Sequence, residues 1–169
     1  EAGYENGMDL TVQIGSGSTS SLQEATLLKQ QWSDIGVNLN IEQIDSATAS
    51  ANWSALNYEV YFSYLTSDMT DTSELAELWC VYDSTQCWGS GWNDDRQKEA
   101  EELVQKAATE MDEEKRMEYY CQMQEIVAEE VPNIPLYNSS FYIAHTDKIS
   151  NLVQTPLGNY RFETLTKAQ

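Results

Sequence analysis

Residues 8–44 read MDLTVQIGSGSTSSLQEATLLKQQWSDIGVNLNIEQI, and the apolar period changes twice along them. Met8, Leu10, Val12 and Ile14 alternate with Asp9, Thr11 and Gln13, the period-two pattern of a half-buried strand. Gly15-Ser16-Gly17-Ser18 breaks the alternation. Ser21 with Glu24 fits a capping box, and Leu22, Ala25, Leu28, Trp32 and Ile35 follow at steps of three and four, so a helix with one apolar stripe is expected. Gly36 suits the C-terminal cap of that helix, and Val37, Leu39, Ile41 and Ile44 begin a second strand. Strand, helix and strand in this order form a βαβ crossover with parallel strands and right-handed connection. The fold class is therefore α/β.

Working outward, residues 47–56 suit a short helix around Trp53, and residues 58–65 a third strand with Tyr58, Val60, Phe62 and Tyr64 on one face. Tyr61 and Leu65 on the other face predict that both sides are covered. Asp94 opens a helix striped by Ala100, Leu103, Val104, Ala107 and Met111. Asp112 caps a further helix through Met117, Tyr120, Cys121, Gln124 and Val127, which Pro132 ends for want of an amide hydrogen. These two helices are expected to pack as a hairpin. Residues 133–144 carry strand-like Ile134, Leu136, Tyr137, Phe141 and Ile143, and the tail beyond is irregular. With no repeat or low-complexity linker, a single α/β domain with a small mixed sheet and packed helices is expected over residues 1–169.

Composition narrows the function classes. Apolar residues make up 41 % of the 169, with no run near the roughly 20 needed to cross a bilayer. A net charge of −19 repels phosphate backbones and anionic head groups, which argues against nucleic acid as a partner. The chain opens at Glu1 without a basic and then apolar leader, so an export signal or lipid anchor is expected to lie outside these residues. Three cysteines are too few for a disulfide framework and lack metal-ligand spacing, and no metal or cofactor is expected. Cys80 and Cys87 flank the turn-rich VYDSTQ, and a disulfide or two free thiols are both open to them. Cys121 is expected to be a buried, inert thiol.

Catalytic motifs are missing. No GxSxG elbow or HExxH pair occurs, and GSGSTSS lacks the lysine of a phosphate loop and reads as a strand-to-helix turn. His145, the one histidine, reads as structural. Asp68 stands out because it follows the third strand, and ligand crevices of α/β sheets lie beyond the carboxyl ends of strands. Its competing role is that of a cap for the helix beginning near Thr70 to Glu74. Tyr58, Tyr61, Tyr64, Trp79, Trp88 and Trp92 could stack on a ligand, although core packing accounts for most such clusters; Trp88 and Trp92, beside Gly89 and Gly91, are the ones expected at the surface.

Four segments taken in order, EAGYENGMDLTVQIG (1–15), LKQQWSDIGVNLNIEQID (28–45), EKRMEYYCQMQEIVAEEVPNIPLY (114–137) and TPLGNYRFETL (155–165), together with the stretch from Tyr58 to Trp92, resemble the C-terminal lobe of the extracellular solute-binding proteins of peptide and nickel ABC transporters. The resemblance implies a periplasmic-binding-protein-like lobe cut from a larger two-lobed protein whose N-terminal lobe is missing. It implies capture of a peptide outside the membrane and delivery to ABC permease subunits, with no catalysis, in an extracellular, cell-surface or periplasmic location and with a lipid anchor in another part of the chain. The phrase Tyr64-Leu65-Thr66-Ser67-Asp68 matches the family segment whose aspartate pairs with the α-amino group of a bound peptide. It also implies a Cys80–Cys87 disulfide. Two departures weigh against a strict dipeptide ligand: Leu65 replaces the family tryptophan, and residues 15–20 lack the arginine that takes a peptide carboxylate. Thr72 replaces a proline that often follows in the turn. A longer peptide suits these losses, as does a non-peptide solute of the same family, such as an oligosaccharide, a nickel chelate or haem. A secreted hydrolase domain is the alternative from another class.

Overall fold

The computed structural model describes residues 3–82, 87, 89–140, 142–155 and 157–167. The chain divides into two compact units, Glu1–Leu65 and Thr66–Gln169.

In the first unit β1 (Met8–Gly15), α1 (Thr19–Ser33), β2 (Val37–Ile44), α2 (Ser46–Ser54) and β3 (Val60–Tyr61) follow one another. The strands lie in the order β2-β1-β3. β1 pairs with β2 in parallel from Met8 opposite Val37 to Gly15 opposite Ile44, the crossover expected from the sequence. Val12, Ile14, Ala25 and Leu39 form the buried centre, and Leu10, Leu22, Leu28, Trp32, Ile41, Val60 and Phe62 pack against it. The alternation of β1 thus faces its apolar members toward α1. Where the first strand starts, Gly7 has φ +77° and a Cβ there would lie 2.4 Å from the carbonyl oxygen of Gly36. That oxygen accepts from the Met8 amide at 3.0 Å, so the two glycines bring the starts of β1 and β2 together.

Several sequence expectations shift here. The N-cap of α1 is Ser18, with Ser21 already inside the first turn and Ser18 Oγ donating to Ser21 Oγ at 2.8 Å, so Ser21 is not the cap that the sequence pattern predicts. The helix stops at Ser33, which leaves Ile35 at 75 % exposure instead of on the buried stripe. β3 pairs with β1 through Val12 opposite Val60 and Gln13 opposite Tyr61, a ladder much shorter than residues 58–65. The third strand is an edge of the sheet.

The second unit is mainly helical, with α3 (Thr72–Cys80), α4 (Asp95–Thr109) and α5 (Glu113–Glu130), followed by a short antiparallel pair, β4 (Ile149–Ser150) and β5 (Thr166–Lys167). Parallel and antiparallel pairings therefore occupy separate sheets. Asp94 and Asp112 cap α4 and α5, accepting from the amides of Gln97 at 2.8 Å and Lys115 at 3.1 Å, which satisfies orphan donors at both helix starts. Ala76 and Cys80 of α3, Ala100, Leu103, Val104 and Ala107 of α4, and Tyr120, Met123 and Ile126 of α5 make one core. Gln97, 1 % exposed, donates from Nε2 to the Cys80 carbonyl at 2.6 Å and to Glu101 Oε2 at 2.8 Å, which ties the end of α3 to α4.

The hairpin forms as expected, but the α5 stripe is rotated. Tyr120, Met123 and Ile126 face the core, whereas Met117, Cys121 and Gln124 are exposed. Cys121 is therefore a surface thiol and not a buried one. Met111 lies beyond the end of α4 at 94 % exposure. Val131 takes φ +48° as α5 ends, a left-handed conformation that a β-branched residue rarely adopts. The described residues of 133–144 form no strand; Ile134 is 64 % and Tyr142 93 % exposed. Strand-like composition alone does not make a strand. Phe141 lies outside the described residues.

Candidate functional site

Asp68 lies at the start of the second unit, with its side chain exposed. The sequence left two roles open to it, a cap for the next helix or a free carboxylate. The cap is Asp71, whose Oδ1 accepts from the Ser73 amide at 2.8 Å. Among the described residues, the Asp68 carboxylate accepts no hydrogen bond and joins no ion pair; only its backbone is bonded.

That bonding comes from Glu74. In the first turn of α3, Glu74 Oε2 accepts from the amides of Asp68 at 2.8 Å and Met69 at 2.9 Å and from Ser67 Oγ at 2.9 Å, and Oε1 lies 3.1 Å from the Asp68 amide. The Met69 amide, followed by the Ser67 hydroxyl and the Asp68 amide, holds the Glu74 carboxyl below its usual range. Ser67 Oγ also lies 2.8 Å from the Met69 carbonyl, so its one proton is shared between that oxygen and Glu74 Oε2.

Asp71 is fixed in turn by α5. Arg116 donates from Nη2 to Asp71 Oδ1 at 2.6 Å and to Tyr120 Oη at 3.2 Å, and its guanidinium sits 5.2 Å from the centre of the Tyr120 ring. The Arg116 hydrogen bond, reinforced by the Ser73 amide, drives the Asp71 carboxyl far below its ordinary range. Three carboxylates in seven residues thus have three occupations: Asp71 caps, Glu74 braces, and Asp68 is open to solvent.

Of the other residues singled out, Thr66 and Ser67 belong to this turn, with Thr66 exposed and Ser67 half-buried. Tyr64, 83 % exposed, and half-buried Leu65 close the first unit. Glu74 escaped the sequence reading, although an acid in the first turn of a helix that follows a Ser-Asp turn is a recognisable pattern for amide capture. Tyr58 and Tyr61 pack at 5.3 Å between ring centres, with Trp53 6.5 Å from Tyr61, and Trp79 and Trp92 lean on the helical core, so these aromatics pack. Half-buried Trp92 is less open than expected, and Trp88 lies outside the described residues. His145 is exposed, with Nδ1 3.0 Å from the Thr146 carbonyl.

Cys80 and Cys87 are buried thiols, raised by burial to about 12 and about 11, and the charge of Cys87 adds to the shift at Cys80. No cluster of three or more metal-binding side chains occurs among the described residues, and no helix there is long and apolar enough to cross a membrane. An open depression of about 670 Å³ on α5, lined by Met117, Cys121 and several glutamates, includes none of the residues from Tyr64 to Asp68.

Comparison with known proteins begins with residues 1–86, which match the model of the bacterial extracellular solute-binding proteins, family 5 middle. The peptide transport periplasmic protein SapA of Salmonella typhimurium is 25 % identical over 150 residues, 88 % of this chain and 27 % of that protein. The chain thus spans about a quarter of the length of this curated relative. Among solved structures, DppA of Helicobacter pylori in complex with peptide STSA superposes with a TM-score of 0.77 at 22 % identity, over 99 % of this chain and 33 % of that one. The dipeptide binding protein of Pseudoalteromonas sp. SM9913 in complex with Met-Leu gives 0.75 at 21 %, over 99 % and 34 %. Both share the fold.

Proposed function

The chain belongs to the bacterial extracellular solute-binding proteins, family 5, and we propose that it is part of the substrate-capturing component of an ABC importer, holding peptides outside the membrane and passing them to permease subunits. Residues 1–169 supply a portion of one lobe of a two-lobed protein, and the other lobe, together with any lipid anchor, comes from the rest of the chain. Asp68 is the anionic anchor for the amino terminus of the peptide. A single observation carries this assignment: Asp71 takes the helix cap and Glu74 the turn amides, so of the three carboxylates in residues 68–74 Asp68 is the uncommitted one. An ammonium group pairs with such a carboxylate through charge-assisted hydrogen bonds, about twice as strong as neutral ones. The task is binding, as in the family the chain belongs to. In an oxidising compartment Cys80 and Cys87 close into a disulfide, leaving Cys121 as the free thiol; the intact mass before and after reduction, with alkylation counted, checks the pairing.

Native mass spectrometry of the full-length protein with synthetic tetrapeptides lacking lysine tests the anchor. Asp68→Asn is expected to lower peptide retention by about tenfold or more with melting temperature unchanged, since a hydrogen bond to a charged group is worth roughly 1.5–3 kcal/mol. Unchanged retention removes Asp68 from the site.

A further inference from the structure

We infer that Glu74 is a positioning residue for ligand capture, holding the Ser67–Met69 backbone so that the Asp68 carboxylate meets the amino terminus of a peptide. This rests on the anchoring role of Asp68 and goes beyond it by assigning a second carboxylate to the site. Two amides and one hydroxyl converge on the Glu74 carboxylate within 2.8–2.9 Å at Oε2. The turn's donors converge on Oε2, so the role of Glu74 is to hold the turn. It sets the backbone from which Asp68 projects.

The base of the brace is rigid. Glu74 sits on α3, whose Ala76 and Cys80 are buried in the helical core and whose N-cap Asp71 is gripped by Arg116 of α5. A turn with Asp68 and Met69 exposed would otherwise sample many conformations, and each would have to be given up on binding. Three hydrogen bonds to one buttressed carboxylate remove that cost before the ligand arrives. The effect is expected on recognition of the amino terminus specifically, because Asp68 is the group whose position depends on the turn.

The test uses the full-length protein and synthetic tetrapeptides lacking lysine, with amino termini free or acetylated, and reads the ratio of retained free to acetylated peptide by native mass spectrometry. Wild type is expected to prefer the free amine, and Asp68→Asn to lose the preference. Glu74→Ala is expected to lower the ratio by about tenfold, in the range of a lost hydrogen bond to a charged group. Glu74→Gln keeps one acceptor oxygen and is expected to retain a larger share of the preference. A purely structural role would weaken both peptide forms alike and leave the ratio unchanged, which overturns the inference. Equal losses in Glu74→Ala and Glu74→Gln would assign the effect to charge and also overturn it. If Glu74→Ala does not fold, amide exchange at Asp68 and Met69 in Glu74→Gln decides: acceleration supports the brace and unchanged exchange refutes it. An intact preference in Glu74→Ala with loss in Asp68→Asn discards the brace and keeps the anchor, whereas no preference in wild type discards both.

Discussion

Each of the two compact units is stabilised internally by different means. In the first, the strongest constraint is a backbone ladder between segments far apart in sequence, with Met8 opposite Val37 and a close approach of Gly7 to the Gly36 carbonyl. In the second, three helices bury one apolar cluster, and charged side chains at helix ends fix their starts. Ladders depend on exact backbone approach and tolerate side-chain change at the surface. Helical cores depend on volume, and their polar ends respond to pH. The difference suggests why the open carboxylate lies beside the helices: caps and braces can be rearranged there without breaking a sheet.

The largest effect that sharpens this contrast is expected from Tyr120→Ala. Tyr120 is 2 % exposed and also meets Arg116, so its loss should destabilise the second unit by about 4 kcal/mol, in the range for buried aromatics. Hydrogen exchange should show protection lost in α3, α4 and α5 while β1 and β2 keep theirs. Equal loss in both units would break the comparison.

Gly7→Ala is next, at about 2 kcal/mol, because it combines a positive φ with a Cβ pressed against a backbone oxygen that has no flexible end to move aside. The melting temperature should fall, with exchange at the Met8 amide accelerated first. A neutral outcome would mean that the glycine approach is not a constraint.

The smallest effect concerns pH. Asp71 has its native carboxyl depressed below the ordinary 3.8, chiefly by the Arg116 hydrogen bond. A depressed acid contributes stability that is complete above its unfolded value and is lost as pH falls toward the native one. Arg116→Met should therefore lower thermal stability slightly above pH 4, and its melting curve should approach that of wild type on further acidification. A gap that is constant with pH would mean that Arg116 acts through packing on Tyr120 and not through the Asp71 charge.

Much of the fold was legible from local pattern. The period-two run from Met8 to Ile14 and the caps Asp94 and Asp112 mark their elements because strand alternation and capping are consequences of neighbouring residues alone. Legibility failed where the outcome depended on a partner. Met117, Cys121 and Gln124 fit an apolar stripe on α5 as well as Tyr120, Met123 and Ile126 do in spacing, and only the position of α4 chose between those faces. The described residues of 133–144 have strand composition but form no strand. In the candidate site, the expectation that Asp68 ends the third strand fails, because that strand stops at Tyr61, seven residues earlier; and three acids in the same stretch compete for the cap, which composition does not rank.

By itself, then, the sequence determined the α/β class, the βαβ crossover, the helical hairpin and the residue types near Asp68, since period, capping and charge are local properties. Tertiary structure alone decided which carboxylate caps, which braces and which stays open. That division follows from Arg116 arriving at Asp71 from a helix 45 positions away and from Glu74 folding back on the turn, contacts that exist only when the chain has closed on itself.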